Sequence, residues 1–383
     1  MDLDSFVINP SINVSPYCYS ILRVEPYQTC EHGCVYCFGR WYRTKSHSEN
    51  NKEFNVIGGF KRILKFLSKR NLKIIPFRLS TMIDPFQPME ETYYFSRRIM
   101  SLCLKYEIPL IINTKATLLS RSSPLLSILR DLGSKDLVIV QISLSTINAK
   151  IASVLEPNAP LPMERLDSAE KISRENIPVI IRLQPFIPGI TDYEVEDIIM
   201  QSRFAGVKQI IVESLRDEIV NMKIYEELAY EKSVYANLST WDSYSPSVEA
   251  QSKIIRPSVE WRLKAYIKTK NLCEKYGLTF STCKEGFYDY HTARNCCGMH
   301  YLGDEKYLLR PTLYEYWNYY EKHGRLPSFD EFTRSLTNIY LFGDGMKNYP
   351  RLLRKRMLSH EKILREVVDK RRNMIKILLP TLQ

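Results

Sequence analysis

Glycine is scarce in this chain: 14 in 383 residues, fewer than the 20 prolines. That excludes the Gly-X-Y period of collagen and the Pro/Gly excess of low-complexity disorder. No internal repeat is present, which excludes a solenoid. No run of about 20 apolar residues occurs, so no membrane-spanning helix is expected. The opening MDLDSFVINP lacks a basic stretch followed by an apolar one, so no secretory signal is read there and a cytoplasmic location is expected. Negative charge is in deficit, with 43 Asp+Glu against 54 Lys+Arg and a net charge of +11. A basic balance favours polyanions, so nucleic acid is a candidate partner, although many basic proteins bind none. What remains is a chain 44% hydrophobic and 25% charged, an ordinary globular composition for one large domain or two to three smaller ones.

The nine cysteines are an odd number with no sign of export, so they do not read as a disulfide framework. They cluster instead, which points to metal or redox chemistry in a reducing compartment. Cys18 and Cys103 fall in apolar patterns and read as core.

From about residue 18 to 240, short runs rich in Ile, Leu and Val alternate with amphipathic stretches. Candidate strands are Tyr19–Val24, Ile74–Ser80, Leu110–Thr114, Leu137–Ser143, Val179–Gln184 and Gln209–Glu213. Helical patterns lie between them at Phe54–Arg70, Met89–Tyr106, Pro124–Leu132, Met163–Glu175 and Asp192–Phe204, and one follows at Glu218–Asn237. Six strand–helix units predict an α/β core over residues 1–240 with a parallel sheet, either an open doubly wound sheet or an incomplete barrel. Residues 241–303 read as a polar linker over Trp241–Arg256, a helix over Val259–Tyr276 and a Cys/His-rich loop. Residues 304–383 read as a helical, aromatic and basic C-terminal extension. Its Arg351, Arg354, Lys355, Arg356, Lys362, Arg365, Lys370, Arg371, Arg372 and Lys376 face only Glu361, Glu366 and Asp369. Such a stretch docks a phosphate backbone or forms a solvated helix face.

The strongest chemical signal is Cys30-Glu-His-Gly-Cys34-Val-Tyr-Cys37, a C-x3-C-x2-C spacing just after the first strand. Three thiolates on one loop can wrap a small inorganic core, with Gly33 supplying a sharp turn. Iron–sulfur clusters take such ligands, and a four-iron cube on three cysteines keeps one iron open. Zinc with His32 as fourth ligand, or a pair of reactive thiols, are the alternatives.

These residues, with Glu25-Pro26-Tyr27, Asp84-Pro85-Phe86-Gln87-Pro88, Thr114-Lys115, Ser143-Leu144-Ser145, Leu155-Glu156-Pro157 and Pro185-Phe186-Ile187-Pro188-Gly189, resemble the radical S-adenosylmethionine (SAM) superfamily, and within it the spore photoproduct lyase-like branch, whose members are often labelled DNA repair photolyases. The resemblance covers about residues 17–215. It implies a partial (β/α)6 barrel, a [4Fe–4S] cluster on Cys30, Cys34 and Cys37, and SAM bound at the open iron. It implies SAM cleavage to a 5′-deoxyadenosyl radical, fed by an electron donor such as ferredoxin or flavodoxin. SAM-binding positions carried over are Tyr36 near adenine or cluster, Asp84 and Lys115 for the polar ends of SAM, and Ser143 and Ser145 for its ribose or carboxylate. No further catalytic residue is assigned. A nucleic acid base is the expected target, for repair or modification. A peptide or small-molecule substrate remains open, as does a non-catalytic iron–sulfur or zinc protein that binds nucleic acid.

Two departures matter. The Gly-Gly-Glu pattern of many radical SAM enzymes is replaced by Ser80-Thr81-Met82-Ile83-Asp84. Spore photoproduct lyases also place a hydrogen-donating Cys shortly before that Asp, and Arg78–Asp84 contains none, so thymine-dimer repair by that route is not expected. Cys283, Cys296 and Cys297, with His291, His300 and Cys273 nearby, form a second group: a candidate second metal site, a source of thiol hydrogen, or structure.

Overall fold

The computed structural model describes residues 3–39, 52–244 and 253–382. Its centre is a seven-stranded sheet in the order β1-β2-β3-β4-β5-β6-β10, every pair parallel. The strands are β1 (Arg23–Val24), β2 (Phe77–Leu79), β3 (Leu110–Thr114), β4 (Val138–Ser143), β5 (Val179–Phe186), β6 (Gln209–Ser214) and β10 (Thr279–Thr282). β1 and β10 are the two ends of the order, so the sheet is a partial barrel with an open seam. A smaller antiparallel sheet joins β7 (Asp217–Glu218), β9 (Ile254–Pro257) and β8 (Trp241–Ser243).

The strand sequences are apolar on both faces because both faces are buried. One face, with Leu110, Ile112, Val138, Val140, Val179, Ile181, Ile210 and Val212, packs into the main core beneath the helices. The helix Phe95–Tyr106 shows why it lies there: Phe95, Ile99, Met100 and Cys103 recur at helical spacing and are buried. The other face begins with a layer of Ile111, Ile139, Ile180 and Ile211 and turns polar towards the C-terminal ends of the strands. That polar end is the barrel mouth.

The expected α/β core and helical C-terminal region are both present. Three local expectations are corrected. The stretch Glu218–Asn237 is not one helix. It is broken into a 3-10 turn, Met222–Leu228 and Ser233–Ala236, because Asp217–Glu218 is drawn into the small sheet. Trp241–Arg256 carries two strands of that sheet where a linker was read, and residues 245–252 of it lie outside the described residues. Thr279–Thr282 lies in the region read as a loop, yet it pairs with β6 as the seventh strand. Four residues are too short a run to show a period, and only the β6 edge gives them a ladder.

The segment Asn295–Tyr301 closes the N-terminal end of the barrel. Gln209, first residue of β6, donates to the carbonyls of Asn295 and Cys296, each at 3.3 Å. Gly298 sits at φ +72°, and a Cβ there would lie 2.2 Å from Ile180 Cδ1, so this close approach needs glycine. Among the described residues no helix is long and apolar enough to cross a membrane.

Candidate active site at the barrel mouth

Several matched motifs, and one segment outside them, sit where a strand ends. The cysteine loop follows β1, Asp84 follows β2, Lys115 follows β3, Ser143 ends β4 with Ser145 two residues on, and Lys284–Glu285 follows β10. Parallel α/β sheets keep their sites at this end, because the loops there converge.

The cysteine loop is held between two other loops. Gln87 accepts from Glu31 N–H at 2.7 Å and donates to the Thr29 carbonyl at 2.8 Å. On the far side, Val35 N–H donates to the Leu155 carbonyl at 2.9 Å, and Asn158 N–H to the His32 carbonyl at 3.2 Å. Gly33 makes the turn at φ +64°. Cys30, Cys34 and Cys37 are free thiols, each partly exposed. Burial pushes the Cys34 thiol up to about 12, and Cys37 and Cys30 add to that, so the three lie within electrostatic reach of one another. Burial likewise raises Cys30, countered by backbone hydrogen bonds from His32 and Asp84. Such thiols stay protonated until a metal centre displaces the proton.

This donor set fits a cluster. Among the described residues no three His, Cys, Asp or Glu side chains converge as ligands of a single ion. Thiolates round one zinc stand within about 4 Å of each other, whereas an iron–sulfide cube holds its cysteines further apart. His32, the candidate fourth zinc ligand, is turned away: its Nε2 lies 3.2 Å from Asp84 Oδ2 and its Nδ1 3.2 Å from the Asn158 carbonyl. Burial would lower the His32 pKa, but the Asp84 carboxylate outweighs it and raises it.

Asp84 is fully engaged by the protein itself. Oδ1 accepts from Phe86 N–H at 2.9 Å and Thr114 Oγ1 at 2.8 Å, and Oδ2 from Lys115 N–H at 2.6 Å and Ala116 N–H at 3.3 Å. Burial alone would raise this carboxyl; His32 and these N–H groups hold it at about 2. With its lone pairs spent, Asp84 ties the β2 and β3 loops to the cysteine loop.

Tyr36, Lys115 and Ser145 meet at a residue given no role from the sequence, Glu156. The Tyr36 hydroxyl donates to Glu156 and lies 3.3 Å from Ser145 Oγ. Lys115 Nζ is 3.4 Å from Glu156 and 5.4 Å from the Tyr36 ring centre. Arg165, fully buried, pairs with the other oxygen of Glu156. Burial would raise the Glu156 carboxyl, but Lys115 and Arg165 hold it at about 2. Ser143 contributes its carbonyl to Arg165 at 3.2 Å. Glu156 had one signal, its place in a matched motif; Arg165, in an amphipathic helix, had none.

Below the mouth the sheet face presents Arg78, Asn113, Gln141, Arg182, Gln184 and Glu213, one strand after another. Gln141 Oε1 accepts from Arg182 at 3.0 Å and Asn113 at 3.0 Å, and Arg78 donates to Asn113 at 2.8 Å. Cys283, Cys296 and Cys297 are brought to this face, as a group, from the far end of the chain. Arg78 NH2 lies 3.1 Å from Cys297 Sγ and Arg182 NH2 3.5 Å from Cys283 Sγ. Cys296 donating to it, then Arg78 and Arg182, draw the Cys297 thiol below the ordinary range in spite of burial. Guanidinium groups thus abut two of these three sulfurs, Cys297 and Cys283, and their positive charge opposes a second metal cation there. His291 Nε2 accepts from Thr282 N–H at 2.9 Å, and Cys273 is in the helical core.

In the C-terminal helices, three of the basic residues are neutralised, Arg356 by Asp4, Arg365 by Asp330 and Arg371 by Glu366, while Arg351, Lys355, Lys362, Lys370, Arg372 and Lys376 are exposed.

Residues 24–201 match the Radical SAM superfamily. The chain is 28% identical over 223 residues to an uncharacterised protein of Acidianus two-tailed virus, covering 53% of this chain and 70% of that one. It is 26% identical over 188 residues to an uncharacterised protein of Mycobacterium tuberculosis, covering 48% of this chain. The matched region spans 54%, about half, of the mycobacterial relative. Among solved structures it is similar to a spore photoproduct lyase double mutant with bound AdoMet and dinucleoside spore photoproduct. That match has 11% sequence identity and a TM-score of 0.50, over 68% of this chain and 76% of the other. At this identity the likeness is one of fold.

Proposed function

From the premise that the chain is a radical SAM enzyme, with a [4Fe–4S] cluster and SAM as its cofactors, we propose that it abstracts hydrogen from a nucleic acid base, in repair or modification. When bound, the cluster and SAM supply a 5′-deoxyadenosyl radical, the chemistry general to the family. The chain's own residues place and shield that chemistry. Cys30, Cys34 and Cys37 hold the cluster. Lys115 offers its ammonium to the SAM carboxylate, and the Tyr36 ring and the Ser143 and Ser145 hydroxyls flank the same space. Asp84 is a positioning residue: it fixes the Lys115 backbone and the cysteine loop together without touching SAM.

One observation carries the base reading. The floor of the mouth is a layer of amide and guanidinium groups over a layer of isoleucines. Asn113 and Gln184 of that layer are only partly buried. Amides and guanidiniums suit the carbonyl and imino edge of a base drawn out of its stack. The net charge of +11 and the exposed cations of the C-terminal helices add a sequence-independent attraction for the backbone. The reading also accords with the dinucleoside held by the spore photoproduct lyase of similar fold. It places the enzyme in the cytoplasm, reduced by a ferredoxin or flavodoxin.

The test is anaerobic incubation of cluster-loaded protein with SAM and DNA or RNA deuterated on the base or sugar. Deuterium in 5′-deoxyadenosine is expected. SAM cleavage whose rate and product are indifferent to every nucleic acid supplied would end this reading.

A further inference from the structure

One flank of the mouth carries more buried positive charge than its carboxylates can balance. Two acids lie there, Glu213 at the end of β6 and Glu285 after β10. Glu213 is 2.7 Å from Arg216, 3.3 Å from Lys284 and 3.8 Å from Arg182. Glu285 is 3.0 Å from Arg216 and 2.5 Å from Arg262, and also accepts from Ser214 N–H and Oγ at 3.0 and 2.8 Å. Arg256 reaches Glu285 through space but has no carboxylate within ion-pair distance among the described residues. Asp242, opposite Arg256 in the β8–β9 ladder, accepts instead from Val259 N–H at 3.2 Å. Five cations, Arg182, Arg216, Arg256, Arg262 and Lys284, thus share two carboxylates.

Charges taken out of water are normally paired, because leaving one unpaired costs several kcal/mol per ion. Here burial and the neighbouring Arg262 lower the Arg256 pKa, the sign of a guanidinium short of counter-charge. Three N–H groups of the set, Arg216 Nε, Arg256 Nε and Arg262 NH2, are buried and have no hydrogen-bond acceptor among the described residues. The site is built and not merely crowded. The Tyr244 ring lies within cation–π reach of both Arg216 and Arg256, at 4.7 and 5.3 Å, and holds the two guanidiniums to one side chain. It also borders the cysteine loop: Lys284 Nζ is 5.9 Å from the ring of Phe38, next to Cys37.

We propose that this flank, bounded by Arg216, Arg256, Lys284 and Tyr244, is an oxyanion pocket that receives a phosphate group of the substrate. It rests on the nucleic-acid reading for what carries that phosphate. Guanidinium planes match a phosphate with paired N–H groups, and a phosphodiester brings a permanent negative charge and acceptor oxygens to donors that have none. A substrate held by its phosphate here and by its base over the Asn113–Gln184 floor would be oriented beside the cluster loop.

The test uses the full chain, cluster-loaded and with SAM. Thermal unfolding is followed with and without inorganic phosphate. Affinity is compared for a dinucleoside monophosphate and its neutral methylphosphonate analogue. Phosphate is expected to raise the unfolding temperature of the wild type but not of Arg256→Gln. The charged dinucleoside should bind roughly tenfold or more tighter than the neutral one. Lys284→Gln, at the solvent-facing rim, provides a second variant should Arg256→Gln fail to fold, and should shrink the same preference. SAM affinity should be unchanged in both. Equal binding of the two dinucleosides with no response to phosphate would overturn the pocket. A phosphate response lost in the variants, with neither dinucleoside bound, would uphold the pocket and remove the nucleic-acid reading instead.

Discussion

The two flanks of the barrel mouth solve the problem of buried charge in opposite ways. On the β2–β4 side, Asp84 is closed by His32 and four donors, and Glu156 by Lys115, Arg165 and Tyr36. Two carboxylates there face three basic groups, His32, Lys115 and Arg165, and tie together the loops around the three cysteines. On the β6–β10 side, five cations share Glu213 and Glu285, and among the described residues three of their guanidinium N–H groups have no acceptor. A network close to charge balance gives placement, whereas one with cations in excess has free energy to give an anion. On the proposed reading the first flank holds the cofactors and the second receives a charged substrate.

The largest effect that sharpens this contrast is on the cysteine loop. Cys34→Ala removes one of three ligands, so the cluster's visible absorbance and all SAM cleavage should vanish while far-UV circular dichroism is retained. Turnover by a protein lacking all three cysteines would show that the matched flank is not the cofactor side.

Next comes stability. Glu156→Gln leaves Arg165 buried without its counter-charge, and Glu285→Gln does the same to Arg262. Breaking a buried pair in this way costs about 3–5 kcal/mol, read as a lower urea midpoint at constant slope. The flanks should then part company: added phosphate restores part of the loss in Glu285→Gln and none in Glu156→Gln. Equal rescue of both, or of neither, would erase the distinction.

Acid should strip both flanks together. Burial opposes ionisation of Glu156 and Glu285, but their cations hold each at about 2 in the folded protein, against 4.5 as the ordinary value. A folded-state pKa below the unfolded one gives stability that is present above about pH 4.5 and is lost as pH falls towards 2. Each group accounts for roughly 3 kcal/mol of that loss. Chemical unfolding measured across pH 5 to 2 should show this slope, and it should flatten by one proton in Glu156→Gln. An unchanged slope in that variant would mean the carboxylate is not held as described.

The smallest effect concerns SAM. Lys115→Ala removes one charged hydrogen bond while its backbone N–H keeps Asp84 in place, so SAM affinity should fall about tenfold with the cluster intact. Loss of the cluster itself would make Lys115 a structural member of the Glu156 network and not a SAM contact.

Much of this protein was determined locally and could be read from the sequence. The strands read at Leu110–Thr114 and Val179–Gln184 announce themselves because both faces are buried and every residue must be apolar or paired; the second runs on to Phe186. Helices such as the one read at Asp192–Phe204 follow from a one-sided apolar spacing, and three cysteines within eight residues reach one another whatever the rest of the chain does. What only the tertiary structure decided are the partnerships made across long separations. Cys297 lies against Arg78 across 219 residues, Arg165 sits beneath the cysteine loop, and Thr279–Thr282 is a strand only because β6 offers an edge. A charge in a sequence carries no mark of its partner. Whether it is matched, as at Glu156, or left over, as at Arg256, is set by which loops the sheet brings together, since Coulomb attraction and desolvation depend on distance in space and not along the chain.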